Sequence, residues 1–172
     1  MTIKTIPVFT FASDLPVVGQ PLADGIFVTR FWLNADEFAL IDLGAEQEFV
    51  GEWGLRGRRV NGAKSYRDGA ANTLEMADAG SPIANQVLEI GAGVYIPSAL
   101  ELNMLFAANN AGEISGFRNR WYWTSTQCSD PLSFYPDLGD GLTRNDVKYY
   151  SFRVRPVRKI PILQRSLLAS CA

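Results

Sequence analysis

The stretch "NRWYWTSTQCSDPLSFYPDLGDGLTRNDVKYYSFRVRPVRKI", residues 119–160, holds two of the chain's four tryptophans and four of its six tyrosines. The same stretch is rich in Ser, Thr, Asn and Asp. Large rings suit a buried sheet, whereas short polar side chains suit exposed loops. The stretch therefore predicts core strands that alternate with displayed loops.

Two segments of this stretch have the composition of β-strands. The segment "WYWTST" (121–126) alternates along its length, and its aromatic and β-branched content favours a sheet. In "KYYSFRVRPVRKI" (148–160), apolar and arginine side chains alternate between the two faces. Between them, 130–146 has two prolines, two glycines and four acidic residues, which predicts mostly loop with one short strand near Leu132–Tyr135. We expect these side chains in the core: Trp121, Trp123, Phe152, Val154 and Val157.

Three helices are predicted in the middle of the chain. The segment "GAANTLEMADAG" (69–80) has good helix formers and a terminal glycine. In "SPIANQVLEIGAG" (81–93), Ser81 fits the N-cap, Pro82 fits the first helical position and Gly91 ends the helix.

The third predicted helix, "SALELNMLFAANNAG" (98–112), has the clearest start signal. Ser98 and Glu101 have the spacing of a capping box, in which each side chain accepts from the other residue's backbone N–H. An apolar stripe follows, formed by Leu102, Leu105 and Phe106 with Leu100 and Met104 beside it. The stripe predicts a helix face that packs in the core.

The N-terminal part is predicted to be β-rich. The segments "GIFVTRFWL" (25–33) and "EFALIDL" (37–43) flank the turn-type tetrapeptide "NADE", which predicts a hairpin. Residues 1–23 read as an extended arm, and 52–62 as an irregular, arginine-rich connection. Strands first, helices in the middle and strands last indicate an α+β fold, with helices packed on a small antiparallel sheet.

Histidine is absent, which excludes several catalytic and metal-binding classes. No Ser-His-Asp or Cys-His machinery and no His-bearing zinc site can form. The two cysteines, Cys128 and Cys171, are too few for a four-thiolate site; we expect free thiols, and their pairing stays open. Carboxylates and single thiols remain, so we expect no catalysis, no cofactor and no bound transition metal.

Bulk composition bounds the partners. A chain of 172 residues with 47% hydrophobic and 20% charged residues can bury a sizeable core. The net charge of −2 gives no reason to expect a nucleic-acid partner. The apolar runs are too short to span a membrane, and residues 1–16 lack the apolar region of a secretory signal.

Three motifs in order carry a resemblance to a known family. They are "GVYIPSALELNMLF" (93–106), "WYWTSTQCS" (121–129) and "YYSFRVRPVR" (149–158), and "DGAANTLEMADAGSPIA" (68–84) precedes them. Together they resemble the C-terminal domain family of bacterial collagen-like adhesins, which is similar to the C-type-lectin-like fold of formylglycine-generating enzymes and of the phage major tropism determinant.

The resemblance implies a C-type-lectin-like domain of two or three helices on a small antiparallel sheet, with adjacent termini. It divides the chain into a β-rich N-terminal part (1–60), the lectin-like domain (61–160) and a tail (161–172). Such domains are frequent in tailed-phage virion proteins. The resemblance therefore implies an exposed virion protein, assembled in the host cytoplasm, that forms homo-oligomers and binds a host-surface glycan or protein without catalysis.

Two alternatives stay open. The first is an architectural decoration or baseplate protein whose lectin-like domain binds other virion subunits. The second is an oxygenase like the formylglycine-generating enzymes, although their closely spaced cysteine pair is missing here, since Cys128 stands alone in the core segment.

The predicted ligand-binding face spans residues 126–150, where rigid rings and short polar groups make an adaptable surface. Its candidate residues are Thr126, Gln127, Ser129, Asp130, Phe134, Tyr135, Asp137, Arg144, Asn145, Lys148 and Tyr149. An alternative is that the tyrosines pack against a partner subunit. Asp137 and Asp140 have a spacing compatible with a calcium loop, and a solvated turn explains the same residues.

Charged and apolar residues outside this face also have predicted roles. We expect Arg153, Arg155 and Arg158 to hold loop carbonyls or carboxylates by forked hydrogen bonds. Their possible partners are Asp68, Glu101 and Asp130. Apolar residues of the arm and the tail are predicted to be available for an interface: Val8, Phe9, Phe11, Ile160, Ile162, Leu163, Leu167 and Leu168.

Overall fold

The computed structural model describes residues 6–137 and 142–165. Their strands are β1 (Thr10–Phe11), β2 (Pro21–Leu22), β3 (Gly25–Leu33), β4 (Asp36–Asp42), β5 (Phe49–Glu52), β6 (Val94–Tyr95), β7 (Leu132–Pro136), β8 (Thr143–Val147), β9 (Ser151–Val154) and β10 (Val157–Leu163). Their helices are α1 (Gly69–Asp78), α2 (Pro82–Ile90) and α3 (Ala99–Asn110). The α+β class is confirmed.

The main sheet unites the two ends of the chain. Its strand order is β1-β10-β4-β3-β2, and β6 also pairs with β10. The β3–β4 hairpin is confirmed, and its turn uses a left-handed backbone at Asn34, where φ is +57°. Strand β1 runs parallel to β10, so that Thr10 lies beside Ile162. The predicted division at residue 60 stays a prediction, although β3 and β4 share this sheet with β10.

The three predicted helices are confirmed, with their start signals. At α2, the Ser81 hydroxyl accepts a hydrogen bond from the Ala84 backbone N–H at 3.4 Å. At α3, the capping box forms as predicted, since Glu101 Oε2 accepts from the Ser98 N–H at 2.7 Å and Ser98 Oγ accepts from the Glu101 N–H at 3.4 Å. These bonds satisfy donors that a helix start leaves unpaired.

Two large apolar clusters fill the space between the helices and the sheets. One joins Trp123 and Phe152 to α2 through Val87, and the other joins Val157 to α3 through Leu102. The Trp123 and Phe152 rings stack with their centroids 4.3 Å apart. The predicted burial of Trp123, Phe152, Val154 and Val157 is confirmed, whereas the prediction for Trp121 is wrong, because that side chain is 48% exposed.

The segment 121–126, which is buried from Tyr122 onward, is not a regular strand, contrary to the prediction. Its successive backbone N–H groups bond to different parts of the fold: that of Trp123 to β9, that of Thr124 to β7 and that of Ser125 to the residue before the α3 N-cap. Isolated bridges replace a continuous ladder. The segment therefore lies between several elements, and its side chains do not alternate between two faces as they would in a strand.

The segment 148–160 forms two strands where one was predicted. The chain leaves the sheet at Arg155 and Pro156; β9 pairs with β5, and β10 pairs with β4. Proline has no backbone N–H for a ladder, which is consistent with the break at Pro156.

The segment 130–146 has more strand than predicted. Strands β7 and β8 form an antiparallel hairpin in which Phe134 lies opposite Asn145. Prolines and glycines indicated a loop, but Pro131 precedes the hairpin and Pro136 closes β7, so neither interrupts its ladder.

The predicted arginine role is confirmed for Arg155 and Arg158, with different partners, whereas Arg153 makes a single contact with Glu48 at 3.5 Å. Arg155 is fully buried and holds both oxygens of Asp42 at 2.7 and 2.9 Å, and Glu48 at 2.6 Å. Arg158 likewise holds both oxygens of Asp24, at 3.0 and 2.9 Å. The predicted partners bond elsewhere: Asp68 pairs with Lys159, Glu101 caps α3 and Asp130 faces Arg59.

The apolar residues of the arm and the tail are only partly accessible for an interface. Ile160 and Ile162 are buried in β10, so the prediction that they are free for an interface is wrong. Val8 is 86% exposed and Phe9 is 42% exposed, which leaves the start of the arm accessible. Leu167 and Leu168 lie outside the described residues. Within those residues, no helix is both long and apolar enough to cross a membrane.

Candidate ligand-binding face

Trp121 is an exposed ring that is directly followed by two completely buried residues. Its side chain is 48% exposed, whereas Tyr122 and Trp123 are 0% exposed. The Tyr122 hydroxyl accepts from the Arg118 N–H and donates to Glu48, and the Trp123 indole N–H donates to the Gly51 carbonyl at 3.2 Å. The backbone of Trp121 is therefore held by anchored residues that follow it directly.

The exposed indole is also held from one side by other rings. Its centroid lies 5.2 Å from that of Phe152 and 6.0 Å from that of Tyr135. Both of those rings are buried. Tilted contacts at these distances are favourable aromatic geometry, so one side of the Trp121 ring packs on the core while the other side stays accessible.

Two small hollows adjoin the Trp121 ring and share it as a wall. The smaller has a volume of about 190 Å³ and is lined by Val50, Arg120, Trp121, Ser151, Phe152 and Arg153. The larger has a volume of about 380 Å³ and is lined by Asn119, Arg120, Trp121 and Asp137. We call the ten residues of these hollows and of the tyrosine row beside them the Trp121 face: the eight lining residues with Tyr149 and Tyr150.

The tyrosine row extends the aromatic surface away from Trp121. The Tyr150 ring lies 6.3 Å from Phe152, and the Tyr149 ring lies 5.2 Å from Tyr150. The Arg56 guanidinium lies 5.5 Å from the centre of the Tyr149 ring. Both tyrosines are exposed, at 39% and 46%. The face therefore presents three accessible rings in sequence.

Charged groups on the face differ in how far they are already bound. Arg144 pairs with Asp137 at 3.3 Å, and Arg153 lies 3.5 Å from the buried Glu48. Within the described residues, the Arg120 side chain makes no ion pair, and its one hydrogen bond goes to the Asn119 carbonyl at 3.5 Å. The Arg120 guanidinium therefore keeps donors for a ligand.

The predicted site residues divide into an accessible and a buried set. Asp130, Arg144, Asn145 and Tyr149 are exposed, and Ser129, Phe134 and Asp137 are half-buried. Thr126, Gln127, Tyr135 and Lys148 are buried, so the expectation that they lie on an exposed face is wrong.

Lys148 and Gln127 form a buried pair that supports a loop. Lys148 Nζ donates to Gln127 Oε1 at 2.5 Å and to the Arg58 carbonyl at 3.2 Å, and it lies 4.4 Å from the centre of the Trp53 ring. The same Gln127 oxygen accepts from the Val60 N–H at 2.9 Å. Burial lowers the pKa of Lys148 to about 8. The pair therefore fixes the backbone of the arginine-rich connection 52–62 through buried side chains.

Thr126 has a comparable role. Its hydroxyl accepts from the Ala99 N–H at the start of α3 and donates to the Ser65 carbonyl, at 3.0 and 2.9 Å. Tyr135 packs edge-on against Phe152, with ring centroids 5.0 Å apart. Both side chains thus stabilise the elements under the face rather than touch a ligand.

The predictions on metal binding and on the two thiols can be compared with the structure only in the described residues. Within residues 6–137 and 142–165, no group of three or more His, Cys, Asp or Glu could hold a metal ion. For the predicted calcium loop, Asp137 pairs with Arg144, and Asp140 lies outside the described residues. The Cys128 side chain is exposed and pairs with no cysteine of the described residues; Cys171 lies outside them, so the pairing of these two thiols stays open.

A third hollow, larger than these two, is lined mainly by residues of 19–26, 42–46 and 112–116. It has a volume of about 700 Å³, and Asp24, Asp42, Glu46, Glu113 and Arg155 are among its lining residues. Asp24 is held by Arg158, and Asp42 is held by Arg155. Two of the carboxylates that line this hollow therefore already have forked partners.

Comparison with known proteins adds no relative to this description. No protein-family model matches the chain, and no curated protein matches it.

Proposed function

We propose that the chain is a C-type-lectin-like adhesin of a phage virion, exposed on the particle, which binds a host-surface glycan through the Trp121 face without catalysis. The observation that carries the proposal is the exposed indole of Trp121, held in place by the two fully buried residues that follow it. Trp121, Tyr149 and Tyr150 are neighbouring exposed rings, joined through Phe152, and contiguous accessible apolar surface commonly marks an interaction site.

The chemistry around the ring suits a saccharide. The apolar C–H face of a sugar ring can lie on an indole, as aromatic side chains provide large, rigid contact areas. Asn119, Arg120 and Asp137 stand beside the ring and supply amide, guanidinium and carboxylate groups for hydroxyls. A rigid apolar platform with a few polar groups at its edge is the usual composition of a small-ligand site.

Three features support the lectin-like family and the virion setting. The motifs 93–106, 121–129 and 149–158 occur in the order that the resemblance requires. The described ends lie side by side, because β1 pairs with β10. The helices α2 and α3 pack in clusters with Trp123, Phe152 and Val157, which the last two motifs supply.

The proposal is tested by attachment of the purified chain to host cells. Trp121→Ala should weaken attachment at least about tenfold, which corresponds to about 1.4 kcal/mol. Trp32→Ala is the matched control, because Trp32 is 55% exposed on β3, away from the face. Equal attachment of the two variants and the unsubstituted chain would contradict the proposed site.

A second candidate function is architectural, and the exposed start of the arm favours it. Val8 and Phe9 are accessible, although the residues that follow them pack on the sheet. Exposed apolar segments of this kind commonly bind partner subunits. In that case Val8→Asp with Phe9→Ser should abolish incorporation into particles, while Trp121→Ala should leave both incorporation and host attachment unchanged.

A further inference from the structure

The smaller hollow beside Trp121 combines apolar surface with guanidinium donors. Val50, 53% exposed, and the rings of Trp121 and Phe152 form its apolar part. Arg120 and Arg153 supply the donors. No carboxylate lines this hollow within the described residues, in contrast to the neighbouring hollow, which Asp137 lines.

These walls define what a ligand group must offer. Guanidinium donors require an acceptor oxygen, since they have no acceptor of their own. Covering the exposed Val50 side chain is favourable in free energy only if the group that covers it is apolar. A sugar hydroxyl offers the acceptor without the apolar group, and so does a carboxylate. An acetamido group offers both, because its carbonyl oxygen accepts hydrogen bonds and its methyl group can lie on Val50.

The neighbouring hollow suits the hydroxyls of the same or the next sugar ring. Asn119 can donate and accept through its amide, and the Asp137 carboxylate accepts from hydroxyls. Arg120 and Trp121 line both hollows, so one ligand that lies on the indole can reach the two together.

The smaller hollow is built on a paired sheet and is therefore preformed. Val50 on β5 lies directly opposite Arg153 on β9, and Gly51 lies opposite Phe152. Residues opposite each other in an antiparallel pair have a fixed separation. A ligand group that enters this hollow does not have to order its walls first, which favours affinity.

Resting on the function proposed above, we infer that the ligand is a glycan with an N-acetylated amino sugar, whose ring lies on Trp121 and whose acetamido group occupies the smaller hollow. The methyl group covers Val50, and the carbonyl oxygen accepts from Arg120 or Arg153. The side chains of this hollow thereby determine specificity, whereas Trp121 supplies stacking area for any sugar.

Competition experiments with the full chain test this inference. Attachment to host cells is measured against free methyl glycosides in three matched pairs: glucose, galactose and mannose, each with its N-acetylated 2-amino counterpart. At least one acetylated sugar should inhibit at a concentration about tenfold lower than its parent, since a small apolar group in a fitted pocket has an effect of this order.

A conservative variant at the hollow gives the second measurement. Val50→Thr keeps the shape of the exposed side chain but replaces a methyl group by a hydroxyl, and it should reduce the acetyl preference to less than about threefold. Val17→Thr is the matched control, because Val17 is 78% exposed and remote from the face in sequence and contacts; it should keep the full preference.

The outcomes separate this inference from the proposed function. If attachment depends on Trp121 but acetylated and parent sugars inhibit equally, or none inhibits, the acetamido assignment is overturned and the adhesin proposal stands. An acetyl preference that survives Val50→Thr also overturns the assignment to this hollow. If attachment does not depend on Trp121, both proposals fail.

Discussion

Two regions of the same stretch, the Trp121 face and the layer beneath it, use their side chains in opposite ways. The face exposes an aromatic ring that composition assigns to the core. The layer beneath it buries Thr126, Gln127 and Lys148, whose polar groups composition assigns to a surface. Each buried polar group is hydrogen-bonded to a loop backbone or to another buried side chain. The comparison shows that buried polar residues position the loops, while an aromatic ring lies exposed at the surface.

The largest expected effect is in the buried layer, at Trp123. We expect Trp123→Ala to lower the free energy of unfolding by about 3–5 kcal/mol, because the ring is completely buried and stacks on Phe152. Chemical denaturation followed by circular dichroism measures the change. A loss below about 1 kcal/mol would show that the layer is not the core of the domain.

A second effect distinguishes Lys148 from its exposed neighbour Arg144. Lys148→Ala should lower the free energy of unfolding by about 1–3 kcal/mol, because it removes the donor to the buried Gln127 amide oxygen and to the part-buried Arg58 carbonyl oxygen. Arg144→Ala should change it by no more than about 0.5 kcal/mol, since that side chain is 45% exposed. Comparable losses for the two variants would erase the distinction between layer and face.

The pH dependence of stability tests the same lysine. Burial lowers its pKa from 10.5 to about 8, so between these pH values the unfolded chain binds more protons than the folded chain. The free energy of unfolding should therefore rise as the pH increases from 8 to 10, by up to about 3 kcal/mol. Above pH 10 it should fall, because burial raises the pKa of Tyr122 to about 12 and the unfolded tyrosine loses its proton first. Lys148→Met should abolish the rise, and a rise that persists in that variant would point to another group.

The smallest of the stability effects concerns the α3 capping box. Ser98→Ala and Glu101→Ala should each lower the free energy of unfolding by about 0.5–2 kcal/mol, because each removes half of the reciprocal pair. The loss for Glu101→Ala should lie toward the upper end of this range, since the Glu101 carboxylate also accepts from the Gly69 N–H and the Tyr95 hydroxyl. Unchanged denaturation midpoints in both variants would show that the box does not stabilise the helix.

The structural features that could be predicted from the sequence are those that residues close together in the chain determine. Ser81, Ser98 and Glu101 act within a few positions of themselves, so the helix starts were predictable. The β3–β4 hairpin was predictable for the same reason, because its turn lies between its own two strands.

The remainder depends on contacts between distant segments. Val50 reaches the Trp121 face only because β5 pairs with β9, and nothing in the local sequence indicates that pairing. The alternation of 121–126 predicted Trp121 and Trp123 on one face, but the segment bonds to several elements in turn and loses that alternation. Pro156 was the one local signal for the break between β9 and β10, and a strand prediction across it was therefore wrong.

The central claim is that Trp121 contacts a host glycan while Trp123 belongs to the core. Oxidative footprinting of the tryptophans, read by mass spectrometry with and without extracted host surface polysaccharide, tests both halves at once. The account predicts that Trp121 and Trp32 are oxidised in the free chain, that Trp123 and Trp53 are protected, and that polysaccharide protects Trp121 alone. Protection of Trp121 in the free chain, or its equal oxidation with and without polysaccharide, would contradict the account.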